Sequence, residues 1–342
     1  MLRGVVLGKF YPPHAGHTHL IDTAAAQVDR LDVLVCCRDD QTIPGAMRAS
    51  WLREIHAGQP RIHVHEVRDF EDDDNSEAWA RCTVDTLGCR PDVVFTSEDY
   101  GERFARCLGA RHVSVDRDRR TVPTSGTLVR ADPLGHWEHL APAVRAWYAR
   151  RVAIVGAEST GTTTLAQDLA GALGTARCVP EFGREYTIQK LAVLRARSPG
   201  ATMTDLAWST GEFGHIARVQ TGFEREAATN DGPLVVCDTD ALATQIWHER
   251  YCGGSNDEVE QVIGDLDPLR LYLLTHDEDV PFDDDGLRDG RHLRSWMTAR
   301  FETTLRERGA RFEVLRGSRE DRTRAAVGAA RQLMAEPWPW RD

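Results

Sequence analysis

Apolar residues along this chain recur in two periods that take turns. Val5, Val6 and Leu7 close a short run over residues 4–7, and residues 31–37 are apolar but for Asp32. Near-continuous apolar runs of this length are the mark of strands covered on both faces. Residues 62–67 alternate in steps of two, and 92–96 and 112–115 are further strand-like runs. Between them, Leu20, Ile21, Ala24, Ala25 and Val28 fall at helical spacing within 16–28. Residues 48–57 form an amphipathic helix and 100–108 a third, and a Trp- and Ala-bearing helical stretch lies within 133–151. The alternation then restarts: a strand over 152–155, a helix over 163–173, strands over Leu234–Asp238, 269–274 and Phe312–Leu315, and a closing helix over 318–334. Strands alternating with helices predict an α/β protein of parallel, doubly wound sheets. With 342 residues the chain divides naturally into two domains, expected at 1–149 and 150–342. No Gly/Ser-rich linker separates them, and no internal repeat is evident.

Composition narrows the functional classes. A hydrophobic content of 41% with 28% charged residues fits a globular protein, and a net charge of -11 argues against nucleic acid as a partner. No apolar run reaches membrane-span length, and residues 1–7 are too short for a signal peptide. The eight cysteines make no C-x-x-C pair and no zinc-like spacing, so they read as small buried hydrophobes in a reducing, cytoplasmic setting. Only Lys9 and Lys190 are lysines among 42 basic residues, a bias expected of base composition, yet Lys9 lies within a candidate site. The acidic runs 69–74 and 283–285 read as solvated loops, the second also as part of a mobile lid. A homo-oligomer is compatible with all of this.

Two segments carry chemistry. The first, Gly8-Lys9-Phe10-Tyr11-Pro12-Pro13-His14-Ala15-Gly16-His17, follows the opening strand. Glycines such as Gly8 and Gly16 let backbone approach a phosphate, and imidazoles three apart at a helix entrance can share one site at the sheet's carboxyl edge. Histidine donates to phosphate oxygens and takes up positive charge as negative charge develops. A helix cap, or a metal pair with His19, are the plainer readings. Downstream, Thr124-Ser125-Gly126-Thr127-Leu128-Val129-Arg130 offers helix-start hydroxyls and an arginine for anions, or merely a cap and a surface charge.

The second segment, Gly156-Ala157-Glu158-Ser159-Thr160-Gly161-Thr162-Thr163-Thr164, follows a strand and opens a helix, the context of a Walker A phosphate loop. Thr163 takes the place of the Mg²⁺-binding hydroxyl, but position 162 is Thr instead of Lys. Losing that contact costs about 1.5–3 kcal/mol, unless Arg184, Arg288 or Arg291 substitutes. A degenerate remnant is the alternative. Asp238-Thr239-Asp240 ends a buried strand as a Walker B acid would, for Mg²⁺ or for a hydroxyl proton. Pro180-Glu181-Phe182-Gly183-Arg184-Glu185-Tyr186 sets opposite charges at a turn, and Asp284-Asp285-Gly286-Leu287-Arg288-Asp289 looks like a lid.

The first set resembles the nucleotidylyltransferase superfamily, with its H-x-G-H and I-S-x-T-x-x-R motifs, and within it the nicotinamide-nucleotide adenylyltransferases. Thr124 stands where isoleucine is usual, and segments 96–101 and 48–52 share the likeness. The second set resembles the ribosylnicotinamide kinase domain of NadR-type bifunctional proteins, in the same domain order and over nearly the whole chain. The resemblance implies a Rossmann-like parallel sheet domain followed by a P-loop kinase-like domain. It implies NMN plus ATP giving NAD and diphosphate in the first, and nicotinamide riboside plus ATP giving NMN and ADP in the second. ATP is then a co-substrate and Mg²⁺ the cofactor. His14 and His17 would meet the transferring phosphate. Gly8, Lys9, Phe10, Gly16, Ser125, Thr127 and Arg130 would hold phosphates in the first domain. Residues 156–164 of the loop, with Arg288, would do so in the second. Trp79 would stack on nicotinamide or belong to the core; Glu181, Arg184 and Tyr186 would contact the nucleoside. Asp238 and Asp240 are left to share the roles of base and metal ligand. Some NadR-type members carry a DNA-binding helix-turn-helix segment, which is not expected here. The alternative is a single-activity adenylyltransferase whose lysine-less second domain senses nucleotide.

Overall fold

Alternation along the strands decides how the first sheet is covered. A computed structural model describes residues 1–69, 75–174, 178–278 and 280–338. It divides into two compact units: Met1–Trp147 with Pro337 and Trp338, and Tyr148–Glu336. The first unit runs β1 (Arg3–Gly8), α1 (Ala15–Ala25), β2 (Arg30–Cys37), α2 (Gly45–Ile55), β3 (Ile62–Arg68), α3 (Ser76–Leu87), β4 (Val93–Thr96), α4 (Gly101–Leu108), β5 (Arg111–Ser114), α5 (Gly126–Ala131) and α6 (Pro142–Tyr148). All five strands are parallel, in the order β3-β2-β1-β4-β5. Val6, Val33 and Phe95 point to one face, against Ile21 and Ala24 of α1 and Ala49 and Leu52 of α2. Val5, Leu7, Leu34 and Val94 point to the other, against Trp79 of α3 and Phe104 and Leu108 of α4. This is the period-2 division that a doubly covered sheet requires.

The second unit runs β6 (Arg150–Gly156), α7 (Thr162–Leu173), β7 (Cys178–Val179), α8 (Phe182–Arg197), α9 (Thr210–Asn230), β8 (Leu234–Asp238), α10 (Ala241–Cys252), α11 (Asp257–Ile263), β9 (Arg270–Thr275), α12 (Arg294–Glu307), β10 (Phe312–Leu315) and α13 (Arg319–Ala335). Its strands are also parallel, in the order β10-β9-β6-β8-β7. Val152, Ile154, Val236, Leu271 and Leu273 pack against Leu165 and Leu169 of α7 and Ala326, Ala330 and Leu333 of α13.

Several elements depart from the sequence reading. The helix expected over 48–57 starts at Gly45, because Pro44 occupies the cap position, where its missing N–H is harmless. The stretch within 133–151 is broken into a short 3₁₀ turn, Trp137–His139, and α6, before β6 begins at Arg150. Helix α3, capped by the Asn75 side chain on the Ala78 N–H, and helices α8, α9, α11 and α12 were not anticipated, whereas the helix expected to carry Thr244 and Gln245 after the acids is α10. The acidic run expected over 69–74 lies outside the described residues beyond Asp69.

Candidate functional site

In each unit a turn leaves the carboxyl end of the central strand, β1 or β6, where ligands of open α/β sheets bind. A separate signal marks the same places. The non-glycine residues with positive φ among the described residues are Phe10 (46°), Asp116 (46°), Arg119 (52°), Ser159 (60°) and Thr239 (75°). Three line a cavity of about 540 Å³ in the first unit and two a cavity of about 140 Å³ in the second. Left-handed backbone outside glycine costs about 1–3 kcal/mol and gathers at functional sites.

The first cavity is built on the turn after β1. His14 caps α1: its Nδ1 accepts the Gly16 N–H at 3.1 Å, so the neutral ring carries its proton on Nε2. One turn on, His17 lies with its ring centroid 3.8 Å away. Burial, then the Arg119 charge, pushes His14 down to about 3. Burial, then His14, pushes His17 well below its ordinary range, and the His17 Nδ1 is buried without a hydrogen-bond partner. Both rings rest as neutral donors, and positive charge on them must come with an incoming anion. The cap reading holds for His14, and its Nε2 is left as a donor in the cavity lining. The metal reading with His19 gains no support: among the described residues no group of three or more His, Cys, Asp or Glu side chains gathers as a metal site.

Around these rings stand most of the expected partners. Lys9 Nζ lies 4.0 Å from Asp69. Arg130 donates to the Tyr11 carbonyl at 2.6 Å and sits over the Tyr11 ring at 4.6 Å. Ser125 caps α5 by accepting the Leu128 N–H at 3.2 Å, with Thr127 exposed beside it. Gly126 is required by close approach: a Cβ there would lie 2.5 Å from the Tyr11 oxygen. Trp79 is 5% exposed within the core and also lines the cavity. Two arginines take places that the sequence reading assigned to neither, although Arg48 opens the family-like segment 48–52. Arg119 lines the cavity and is held by Glu98 at 3.1 Å. Arg48 is fully buried and donates to the carbonyls of Lys9, of Cys36 at 3.1 Å and of Ile43 at 3.1 Å, clamping the turn from beneath.

The second cavity lies on the loop between β6 and α7. Gly161, at φ 86°, turns the chain into the helix. Asp238 at the end of β8 is hydrogen-bonded by the Thr163 and Thr162 hydroxyls, and its Oδ1 is buried without a partner. Burial raises the Asp238 pKa, opposed by those two hydroxyls. Burial, then the Asp238 charge, pushes Glu181 up to about 8, against the pull of Arg184. An oxygen-rich set of this kind, a serine-like hydroxyl with one carboxylate, fits Mg²⁺ shared with phosphates. Asp238 and Thr163 would hold it, and it would supply positive charge against nucleotide phosphates.

Not every expected residue faces this cavity. Asp240 is turned into the core: Oδ1 caps α10 on the Ala243 N–H at 3.0 Å, and Oδ2 accepts from Arg270 and from Tyr272, each at 2.8 Å. With both oxygens engaged it is placed as a structural acid rather than a metal ligand or base. Thr160 is 1% exposed and bonds Ala157 O and Thr275 Oγ1, each at 2.7 Å. Thr164 is exposed outside the cavity lining, and Tyr186 donates to Glu212 at 3.0 Å behind the lining residue Trp208. Glu158 accepts from Arg250 at 2.6 Å and from the Gly290 N–H at 2.8 Å. Arg250, only 3% exposed at its side chain, is the main residue missed here.

Residues 151–322 match the AAA domain family model, and the chain belongs to that family. It is homologous, more particularly, to NadR. It is 28% identical over 306 residues to the trifunctional NAD biosynthesis/regulator protein NadR of Escherichia coli (strain K12), covering 83% of this chain and 71% of that one. The Salmonella typhimurium protein of the same name is 27% identical over 304 residues, with the same coverage. A NadR crystal structure in complex with NR shares the fold at a TM-score of 0.72, with 21% identity over 96% of this chain and 95% of that one. A second, in complex with NAD and AMP-PNP, gives 0.68 and 21% over 96% of each chain.

Proposed function

We propose that the chain is a bifunctional enzyme of NAD biosynthesis, an adenylyltransferase in its first unit and a nucleoside kinase in its second. Homology to NadR supports the pathway and nucleotide binding. The observation that carries the first activity is the His14–His17 pair at the mouth of α1, with Nε2 of His14 as a donor. In this reading a phosphate oxygen of nicotinamide mononucleotide attacks the α-phosphorus of ATP, and diphosphate leaves. The nucleophile is already an anion, so no base is needed, and positioning with charge stabilisation supplies the rate. His14 and His17 donate to the reacting phosphate; Lys9, Arg119 and Arg130 hold the others.

In the second unit the 5′-hydroxyl of nicotinamide riboside attacks the γ-phosphorus of ATP, ADP leaves, and Asp238 accepts the hydroxyl proton. Glu181 and Arg184 line the same cavity, where Glu181 would meet the nucleoside and Arg184 the phosphates. Thr162 favours a second reading, in which this unit binds nucleotide as a sensor. One chromatographic assay decides: purified chain, ATP and Mg²⁺, with either the mononucleotide or the riboside. NAD from both supports two activities. NAD from the mononucleotide alone supports the sensor, and NAD from neither overturns the proposal.

A further inference from the structure

The loop after β6 carries uncharged Thr162 where a lysine ordinarily meets phosphate, and its hydroxyl is spent on Asp238. Two guanidiniums reach the same cavity from outside the loop. Arg184 comes from the first turn of α8, and Arg288 from the segment 280–290. Both reach Asp285, Arg184 in a short contact and Arg288 at 3.6 Å, and Arg288 also pairs with Asp283, more closely, at 3.1 Å. Arg288 also donates to the Ser159 hydroxyl at 3.1 Å. The segment that delivers it is tied to the loop on either side. Asp283 N donates to Ser159 Oγ at 2.6 Å, and Gly290 N to Glu158 at 2.8 Å. Buried Arg250 joins Glu158 to Asp289 as a third tie. Arg288 is therefore held beside the phosphate loop by the loop's own variable positions, Glu158 and Ser159.

We propose that Arg288, seconded by Arg184, supplies the positive charge that Thr162 lacks, and that Asp285, with Asp283 on Arg288, is the internal anion that holds the pair until nucleotide phosphates take its place. The proposal rests on the reading of this unit as an ATP site. A guanidinium offers a rigid fork of donors to phosphate where lysine offers a point charge. A carboxylate shared by two arginines is exchanged for a phosphate without leaving either cation unpaired in a half-buried site.

The test is calorimetric titration of the full chain with a non-hydrolysable ATP analogue and Mg²⁺, alongside riboside phosphorylation. Arg288→Ala is expected to weaken one binding event by about 10- to 150-fold, the worth of one charge-assisted contact. Arg288→Lys, which keeps the charge and loses the fork, is expected to weaken it less. Thr162→Lys in the Arg288→Ala chain is expected to recover about tenfold, and to gain less than that in the otherwise native chain, since the two cations serve one seat. Unchanged affinity in Arg288→Ala, or no recovery on adding Thr162→Lys, overturns the proposal. If affinities follow the expected pattern while no chain phosphorylates the riboside, the kinase reading fails and the replacement of the lysine stands. Native phosphorylation by Arg288→Ala with native affinity is the reverse result.

Discussion

The two units place a cavity at the same point of the fold and line it with different chemistry, imidazoles in one and carboxylates in the other. Each sets a glycine-bearing turn at the carboxyl end of its middle strand, β1 or β6. In the first, two neutral imidazoles stand at the turn, and Lys9, Arg119 and Arg130 are balanced by Asp69, Glu98 and Asp116 around the cavity. In the second, Asp238, Glu181 and Glu158 crowd the loop, and the cations come from α8 and from the 280–290 segment, already paired with acids. An acid-lined phosphate site works only when a metal ion or an incoming arginine reverses its sign. Sheet topology fixes where a phosphate can bind, and residues distant in sequence fix what charge greets it.

The widest test of that contrast lies within Asp238-Thr239-Asp240. Asp238→Asn is expected to lower riboside phosphorylation by about 10²- to 10⁴-fold, the range of a general base, with little change in melting. Asp240→Asn is expected to do the reverse. It removes one of the two carboxylates paired with buried Arg270, leaving Glu224, and costs about 1–3 kcal/mol of stability, while the folded fraction keeps its turnover. Unfolding by urea and single-time-point kinetics on both variants read the two effects. Equal kinetic damage from both would return Asp240 to the site. On the other side, His17→Ala is expected to lower NAD formation from the mononucleotide by about 10²- to 10³-fold and leave the second unit untouched. Native NAD formation would remove the imidazoles from the chemistry.

These assignments mark how far the residue pattern carries. The apolar strands were legible because both faces of each sheet are covered, and the two turns because glycines, histidines and hydroxyls follow those strands at fixed spacing. Period-2 logic would have put Asp238 and Asp240 on one face. Thr239, at φ 75°, ends the strand between them and sends Asp240 into the core, and nothing in three consecutive polar residues announces that. The places of Arg48, Arg119 and Arg250 were illegible for another reason. With nearly every basic residue an arginine, a buried or cavity-lining one looks like any other until its partners are seen. Helices α8, α9, α11 and α12 bury their faces partly on other helices, so their apolar positions did not stand out against the strands.

A smaller effect separates the units by pH. His14 binds a proton near 6.5 in an unfolded chain and only near 3 in the fold. Its contribution is complete above 6.5 and is lost as pH falls from there toward 3. Glu181 runs the other way, from an ordinary 4.5 up to about 8. Its contribution is complete below 4.5 and is lost as pH rises from there through 8. Melting curves without nucleotide or divalent cation should show an acid limb and an alkaline limb. Glu181→Gln, which mimics the protonated acid, should flatten only the alkaline limb. A wild-type slope above pH 4.5 in that variant would mean that Glu181 keeps its charge beside Asp238.

The smallest effect sharpens the comparison most, because two threonines depart from the residues usual at their positions. Thr162 replaces a cation, and its hydroxyl lies against Asp238 and lowers that acid's pKa. Thr124 replaces an apolar residue, is 2% exposed, and its hydroxyl pairs with His136 Nδ1 at 3.2 Å. A buried threonine in place of an isoleucine must have its hydroxyl satisfied, and His136 does so. Thr124→Val keeps the shape and removes that bond. It is expected to cost about 0.5–1.5 kcal/mol of stability and to change NAD formation less than twofold, about the kinetic trace of a purely structural bond. His136 also lowers the pKa of His14, so the alternative has a distinct signature. If freeing His136 shifts the pH profile of NAD formation as well as the melting point, Thr124 acts on the imidazole pair, and both departures act on site residues rather than one.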